Sequence, residues 1–231
     1  MNPHTLSLRL ERVAAHVPAG ARLADIGSDH GYLPVALMRR GVIASAVAGE
    51  AATTPFQAAR RTVRDNDLEA HISVRLADGL AAIEPGDAIT AISLCGMGGE
   101  TVRDILDRGK AQLSGQERLI LQPNGGEYPL RHWLMGNGYR IVHEELLHEN
   151  RFFYEIIVAE RTGPVSYTEE QLYFGPLHLL ERRPAFVAKW QRLLQEKQKT
   201  LASFAKARQS VPAEKIHEIA RHIQWITQLL T

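Results

Sequence analysis

Between Arg22 and Glu160 short β-prone runs alternate with helical stretches, and this alternation restricts the chain to a parallel α/β sheet more than any other feature does. Strands are expected over Arg22–Ile26, Ala44–Ala48, Ile72–Leu76, Ala88–Leu94, Arg118–Leu121, Tyr139–Glu145 and Phe152–Ala159. Crossover helices are expected over Tyr32–Arg40, Thr54–Asn66 and Glu100–Asp107, with Thr54 as N-cap and Pro55 at the first helical position, and a short helix over Leu80–Ile83. A further helix over Glu127–Met135 leads through Gly136-Asn137-Gly138 into the last two runs, which are close enough in sequence to pair as an antiparallel hairpin. The reading is an open, mostly parallel sheet with an antiparallel edge.

After Arg161-Thr162-Gly163-Pro164 the β signal stops. A helical segment around Thr168–Glu181 comes first. Phe186, Trp190, Leu193, Lys197, Leu201 and Phe204 then fall at spacings of three and four, and so do Ile216, Ile219, Ile223, Ile226 and Leu230. With a break at Ser210-Val211-Pro212-Ala213, two long antiparallel helices should close on each other's stripes within one chain, which points to a monomer. The chain therefore divides into residues 1–162 and a helical hairpin unit at 163–231. Charge divides the same way: residues 161–231 hold 11 Lys+Arg against 6 Asp+Glu, although the whole chain is nearly balanced at 27 against 26. A basic tail on an acidic body suits a polyanionic partner.

The chemistry concentrates at the expected carboxyl ends of the strands, where open α/β sheets bind ligands. The first strand runs into Asp25-Ile26-Gly27-Ser28-Asp29-His30-Gly31-Tyr32, a glycine-bearing loop before a helix. The Gly27/Gly31 spacing is not Gly-x-Gly-x-x-Gly, which disfavours a dinucleotide and hence a dehydrogenase. Asp25 and Asp29 would repel a phosphate but could accept from a cationic amino group. Glu50 closes the second strand, where it can accept both hydroxyls of a ribose. Asp78, in Asp78-Gly79, closes the third and could face an adenine amino group. Together they describe a nucleoside without phosphates. The fourth strand ends in Cys95-Gly96-Met97-Gly98-Gly99, where two substrates could approach backbone; Cys95 reads as a small packed residue and not a nucleophile.

Asp-Ile-Gly-Ser-Asp-His-Gly-Tyr-Leu-Pro at 25–34, Ala-Gly-Glu at 48–50, Pro-Phe-Gln-Ala-Ala at 55–59, Gly-Met-Gly-Gly at 96–99 and Leu-Gln-Pro-Asn at 121–124 together resemble the bacterial tRNA (adenine(22)-N1)-methyltransferase family, TrmK. The match runs from about Leu8 to Glu160; the tail matches in architecture more than in residues. The resemblance implies a class I, Rossmann-like methyltransferase fold, strand order 3-2-1-4-5-7-6 with the seventh strand antiparallel, and a C-terminal coiled-coil-like domain. It implies S-adenosyl-L-methionine as cofactor, held by Asp25, Gly27, Ser28, Asp29, Gly31, Glu50, Asp78, Gly79, Gly96, Met97 and Gly98. Cys95 departs from the alanine expected there, a change between small residues.

For methyl transfer to a ring nitrogen, Asp29 is the first candidate for acid/base work and His30 the second. Tyr32, Asn124 and Tyr154 are candidates to contact the base. Arg60 and Arg61, with Arg64 on the same helix, and Lys189 and Arg192, with Arg182, Arg183, Lys197, Lys199, Lys206 and Arg208 of the tail, are candidates to hold tRNA phosphates. His143 and His148 are five apart on a strand, so they do not form a helical zinc pair and no metal is expected. Trp190 and Trp225 belong to the apolar stripes. With one cysteine, no apolar run of membrane length and a Met1-Asn2-Pro3-His4-Thr5 start, the chain is expected in the cytoplasm and off the membrane. The competing readings are a methyltransferase for another RNA or a small molecule, and a non-catalytic RNA-binding module.

Overall fold

A computed structural model describes residues 4–204 and 212–231. Lys206, Arg208 and the Ser210-Val211 part of the expected break lie outside these. Seven strands form one sheet in the order β3-β2-β1-β4-β5-β7-β6: β1 Ala21–Ile26, β2 Ile43–Glu50, β3 Ile72–Leu76, β4 Ala91–Met97, β5 Arg118–Pro123, β6 Tyr139–Glu149 and β7 Phe152–Arg161. The first five are parallel. β7 runs antiparallel to both β5 and β6, so the antiparallel strand sits one place in from the edge.

Alternation along the strands splits the core into two layers. Leu23, Ile120, Ile156 and Val158 face α1 (Leu8–Ala14), α2 (Tyr32–Arg39) and α3 (Thr53–Arg64). Ala24, Ile26, Ile92, Leu94, Leu119, Leu121 and Ile157 face α4 (Gly99–Arg108) and α5 (Glu127–Gly136). Helix α1 was not expected; Ser7 caps it by accepting from the Leu10 N–H. Several expected boundaries need correction: β6 runs to Glu149 and not Glu145, because it pairs with β7 all the way to the turn, and the expected helix at Leu80–Ile83 is a 3-10 turn over Gly79–Ala82. β4 starts at Ala91 and not Ala88, because Ala88 has a left-handed backbone (φ 46°). Helix α3 starts at Thr53 with Ala52 as N-cap, so Thr54 does not cap it.

The described residues of the tail form four helices: α6 Glu169–Phe174, α7 Pro176–Glu181, α8 Pro184–Phe204 and α9 Ala213–Leu230. The expected segment at 168–181 is broken at Gly175-Pro176, since proline at 176 cannot donate back into α6. Phe174, Phe186, Trp190, Ile226 and Leu229 form a third core, with Leu146 of β6 packed against it. The tail is thus seated on the sheet. The residues of the two expected stripes are buried or half-buried, except that Leu229 and not Leu230 is the buried leucine that closes the second stripe. No described helix is long and apolar enough to cross a membrane.

Candidate active site

Loops after β1 and β4, roofed by α1, enclose a cavity of about 300 Å³ lined by Arg9, Leu10, Asp25, Gly27, Ser28, Asp29, His30, Tyr32, Leu33, Cys95, Gly96 and Met97. A larger cavity of about 590 Å³ opens among Arg22, Thr90, Gln116 and their neighbours at the amino ends of the strands. Ligands of open α/β sheets bind at the carboxyl ends, so the smaller cavity is the candidate site.

Asp25 is buried and accepts from Ser28 Oγ and Ser93 Oγ, each at 2.6 Å. Burial pushes its carboxyl above the usual range, against those hydrogen bonds. Glu50, also buried, accepts from the Asp29 N–H, and burial likewise raises its carboxyl. That bond holds the loop with Asp29 in the left-handed region (φ 57°), a conformation most side chains avoid. The Asp29 carboxylate itself is largely exposed, 3.6 Å from His30 Nε2. The His30 ring stacks on Tyr32 with centroids 5.1 Å apart.

Glycine is needed where the loops meet. At Gly27 (φ 70°) a Cβ would press on Met97 Cε at 3.2 Å, and at Gly99 it would lie 2.0 Å from the Gly126 carbonyl oxygen. Gly96 (φ 76°) would direct a Cβ toward the Arg9 guanidinium. The β4 loop is pinned by β5: Gly96 N–H donates to Gln122 Oε1 at 3.0 Å, and Asn124 Nδ2 donates to the Gly96 carbonyl at 2.9 Å. Desolvation and the Asp25 charge push the Cys95 thiol up, away from the thiolate a nucleophile requires.

Asp25, Gly27, Ser28, Asp29, His30, Tyr32, Gly96 and Met97 thus share one cavity. Gly31 instead abuts Ala59 at the start of α2, and Gly98 caps α4. Asp78 projects into solvent from the end of β3 with Arg108 at 3.5 Å, and Gly79 packs on Ile105. Asn124 bonds the β4 loop, and Tyr154 lies under the Arg9 guanidinium, 5.8 Å from ring centre. Arg60, Arg61 and Arg64 line a separate cleft with Gln57 and Glu69. Arg192 is exposed. Lys189 overturns its assignment as a phosphate contact: its ammonium is buried between Glu155 (2.6 Å) and Glu127 (2.9 Å), both of which it must neutralise. His143 meets His16 and His148 stacks on Phe153, so those two histidines do not converge.

Arg9 and Gln122 were missed. Arg9 donates to buried Gln122 and overhangs the cavity from α1. The Leu6, Leu10, Val13, Val17 spacing around the Ser7 cap is the available signal for that helix.

The family model described as tRNA (adenine(22)-N(1))-methyltransferase matches residues 23–228. The chain belongs to this family. A tRNA (adenine(22)-N(1))-methyltransferase of Bacillus subtilis is 38% identical over 237 residues, covering 100% of this chain and 99% of that one. The crystal structure of the B. subtilis m1A22 tRNA methyltransferase TrmK superposes with a TM-score of 0.91 at 36% identity, covering 98% and 99% of the two chains. A Streptococcus pneumoniae protein solved in complex with S-adenosyl-L-methionine superposes at 0.89 with 41% identity, covering 98% and 100%. TrmK relatives thus match both the sheet and the tail.

Proposed function

We propose that this chain transfers the methyl group of S-adenosyl-L-methionine to N1 of adenine 22 in tRNA. The observation that carries the reading is the arrangement of acids: Asp25 and Asp29 at one glycine-walled cavity, with Glu50 joined to the same loop through the Asp29 N–H. The cavity suits this cofactor, whose amino group and sulfonium are cationic and whose ribose offers a diol. Asp25, Gly27, Ser28, Gly96 and Met97 shape its amino-acid side, Gly31 and Gly98 turn the two loops into α2 and α4 beside it, Glu50 takes the ribose, and Asp78 with Gly79 flanks the adenine. Bound there, the cofactor supplies an electrophilic methyl carbon.

Adenine N1 attacks with an in-plane lone pair and needs no prior deprotonation, so the residues act chiefly by alignment. Tyr32, Asn124 and Tyr154 hold the base. The methylated base is a cation, and the exposed Asp29 carboxylate stabilises that charge as it develops and accepts the N6 proton, with His30 beside it. A base within folded tRNA must first be extruded. Arg60, Arg61 and Arg192, together with the basic unit at 163–231, hold the RNA backbone, and the enzyme works as a cytoplasmic monomer.

The deciding experiment is methyl transfer from labelled S-adenosyl-L-methionine to tRNA transcripts carrying A or G at position 22. Label recovered as 1-methyladenosine from the A22 transcript alone supports the reading; equal labelling of both, or none, sinks it.

Glu50→Gln separates stability from binding. Burial raises the folded-state pKa of Glu50 above its ordinary 4.5. Its stabilising contribution is therefore complete at acid pH and lost as pH rises through the folded value. At neutral pH the amide should raise the melting temperature of cofactor-free protein. Loss of the charged acceptor should weaken S-adenosyl-L-methionine binding about 10- to 100-fold. Calorimetric titration and thermal melts check both, and unchanged affinity would remove Glu50 from the ribose site.

A further inference from the structure

Pairing between β5 and β7 runs from Leu119↔Ala159 to Leu121↔Ile157. Beyond it, Phe152–Ile156 pairs only with β6. The β6–β7 hairpin therefore rises roughly 10 Å past Pro123, on the same end of the sheet as the cofactor cavity. Phe152 and Tyr154 share the strand face that continues into Ile156 and Val158, the side covered by α1.

The rings and guanidinium groups on that face form a continuous series. Arg9, a wall of the cavity, lies over Tyr154; the Tyr154 and Phe152 rings are 6.2 Å apart; and the Arg151 guanidinium sits 5.4 Å from the Phe152 ring centre. Arg192 of α8 donates to the Arg151 carbonyl at 2.7 Å and fixes the tip to the basic tail, while Glu196 accepts from its Nε. Phe152 is 51% exposed, among the few large apolar side chains in the described residues left so open. Glu149, across from Phe152 on β6, is the acidic member of the tip.

Resting on the reading of the site as a tRNA methyltransferase, we propose that Phe152 and Arg151 form a stacking platform for the RNA nucleotides flanking the extruded base. An exposed ring bordered by guanidinium groups has the chemistry of a single-strand binder: bases stack on the π-face and phosphates meet the cations. A protein partner would be served by apolar area, but two guanidinium groups over two rings, with Arg192 tied to the tip, complement a polyanion.

The test is steady-state kinetics of Phe152→Ala, Phe152→Trp and Arg151→Gln on an A22 transcript, with cofactor affinity measured alongside. Phe152→Ala should raise KM for tRNA about tenfold, leaving kcat and S-adenosyl-L-methionine affinity within about twofold of wild type. Phe152→Trp should restore KM, because it returns a stacking surface. Arg151→Gln should lower the slope of log affinity against log salt by about one. A KM unchanged in Phe152→Ala, a loss of cofactor affinity with it, or failure of Trp to rescue would overturn the platform, the first assigning the hairpin to another partner. Filter binding of the same transcript needs no chemistry. If wild type binds but does not methylate, the assigned reaction falls, and a tenfold affinity loss in Phe152→Ala still supports the platform while a loss under twofold overturns it.

Discussion

Asp29→Asn is expected to slow methyl transfer under single-turnover conditions by roughly 10²–10³-fold, with cofactor affinity within about threefold of wild type. Asparagine keeps the shape and tolerates the left-handed backbone that Asp29 adopts. The N–H that bonds Glu50 belongs to the main chain and survives the change. What disappears is the negative charge at the cavity mouth, where the product cation forms. A variant that turned over at the wild-type rate would reduce Asp29 to a loop residue. Rapid-quench measurement at saturating cofactor and tRNA separates the two.

The second large effect concerns stability. Arg131 is 1% exposed; its Nε donates to Glu144 at 2.8 Å, Nη2 to Glu155 and Nη1 to the Leu172 carbonyl. Arg131→Met leaves Glu144 and Glu155 buried without that cation, a loss of about 3–5 kcal/mol. For a chain of this size the melting temperature should drop by about 10 °C. Adding Glu144→Gln should recover part of the loss, since the cost arises from the uncompensated charge. A fall of under two degrees in Arg131→Met would show that Lys189 and the α7 amides neutralise the carboxylates unaided.

Most of the sheet was legible because its signals are local: β-prone runs bounded by turns, and acids at Asp25, Glu50 and Asp78 closing successive strands. The tail stripes were legible for the same reason, as spacing of three and four survives any rearrangement of the rest. The buried network was not. Lys189 and Glu127 are 62 residues apart, so nothing near Lys189 distinguishes an ammonium that neutralises two carboxylates from one that meets solvent. Composition assigned it to the basic surface, and only tertiary packing moved it inside. Arg9 is not legible in the sequence because its short helix carries no motif; its role comes from lying over Tyr154 and Gln122, each more than a hundred residues away. Thr54-Pro55 misled because a good capping dipeptide was read where Ala52 already leads into the helix.

The alternation of β7 bears on how this enzyme could be recombined. Tyr154 points to the α1 side and Glu155, next in the chain, to Arg131 and Lys189 beneath the tail. One strand therefore serves as a party wall between two rooms. The tail of this chain, moved at residue 163 onto another hairpin, would leave behind Glu127 and Glu155, the carboxylates that its buried Lys189 and His178 face, and would sit badly there. Grafts cut before α5, carrying α5, β6 and β7 with the helices, keep those partners together. The transferable cassette begins near Gly125, well upstream of the point where the β signal ends.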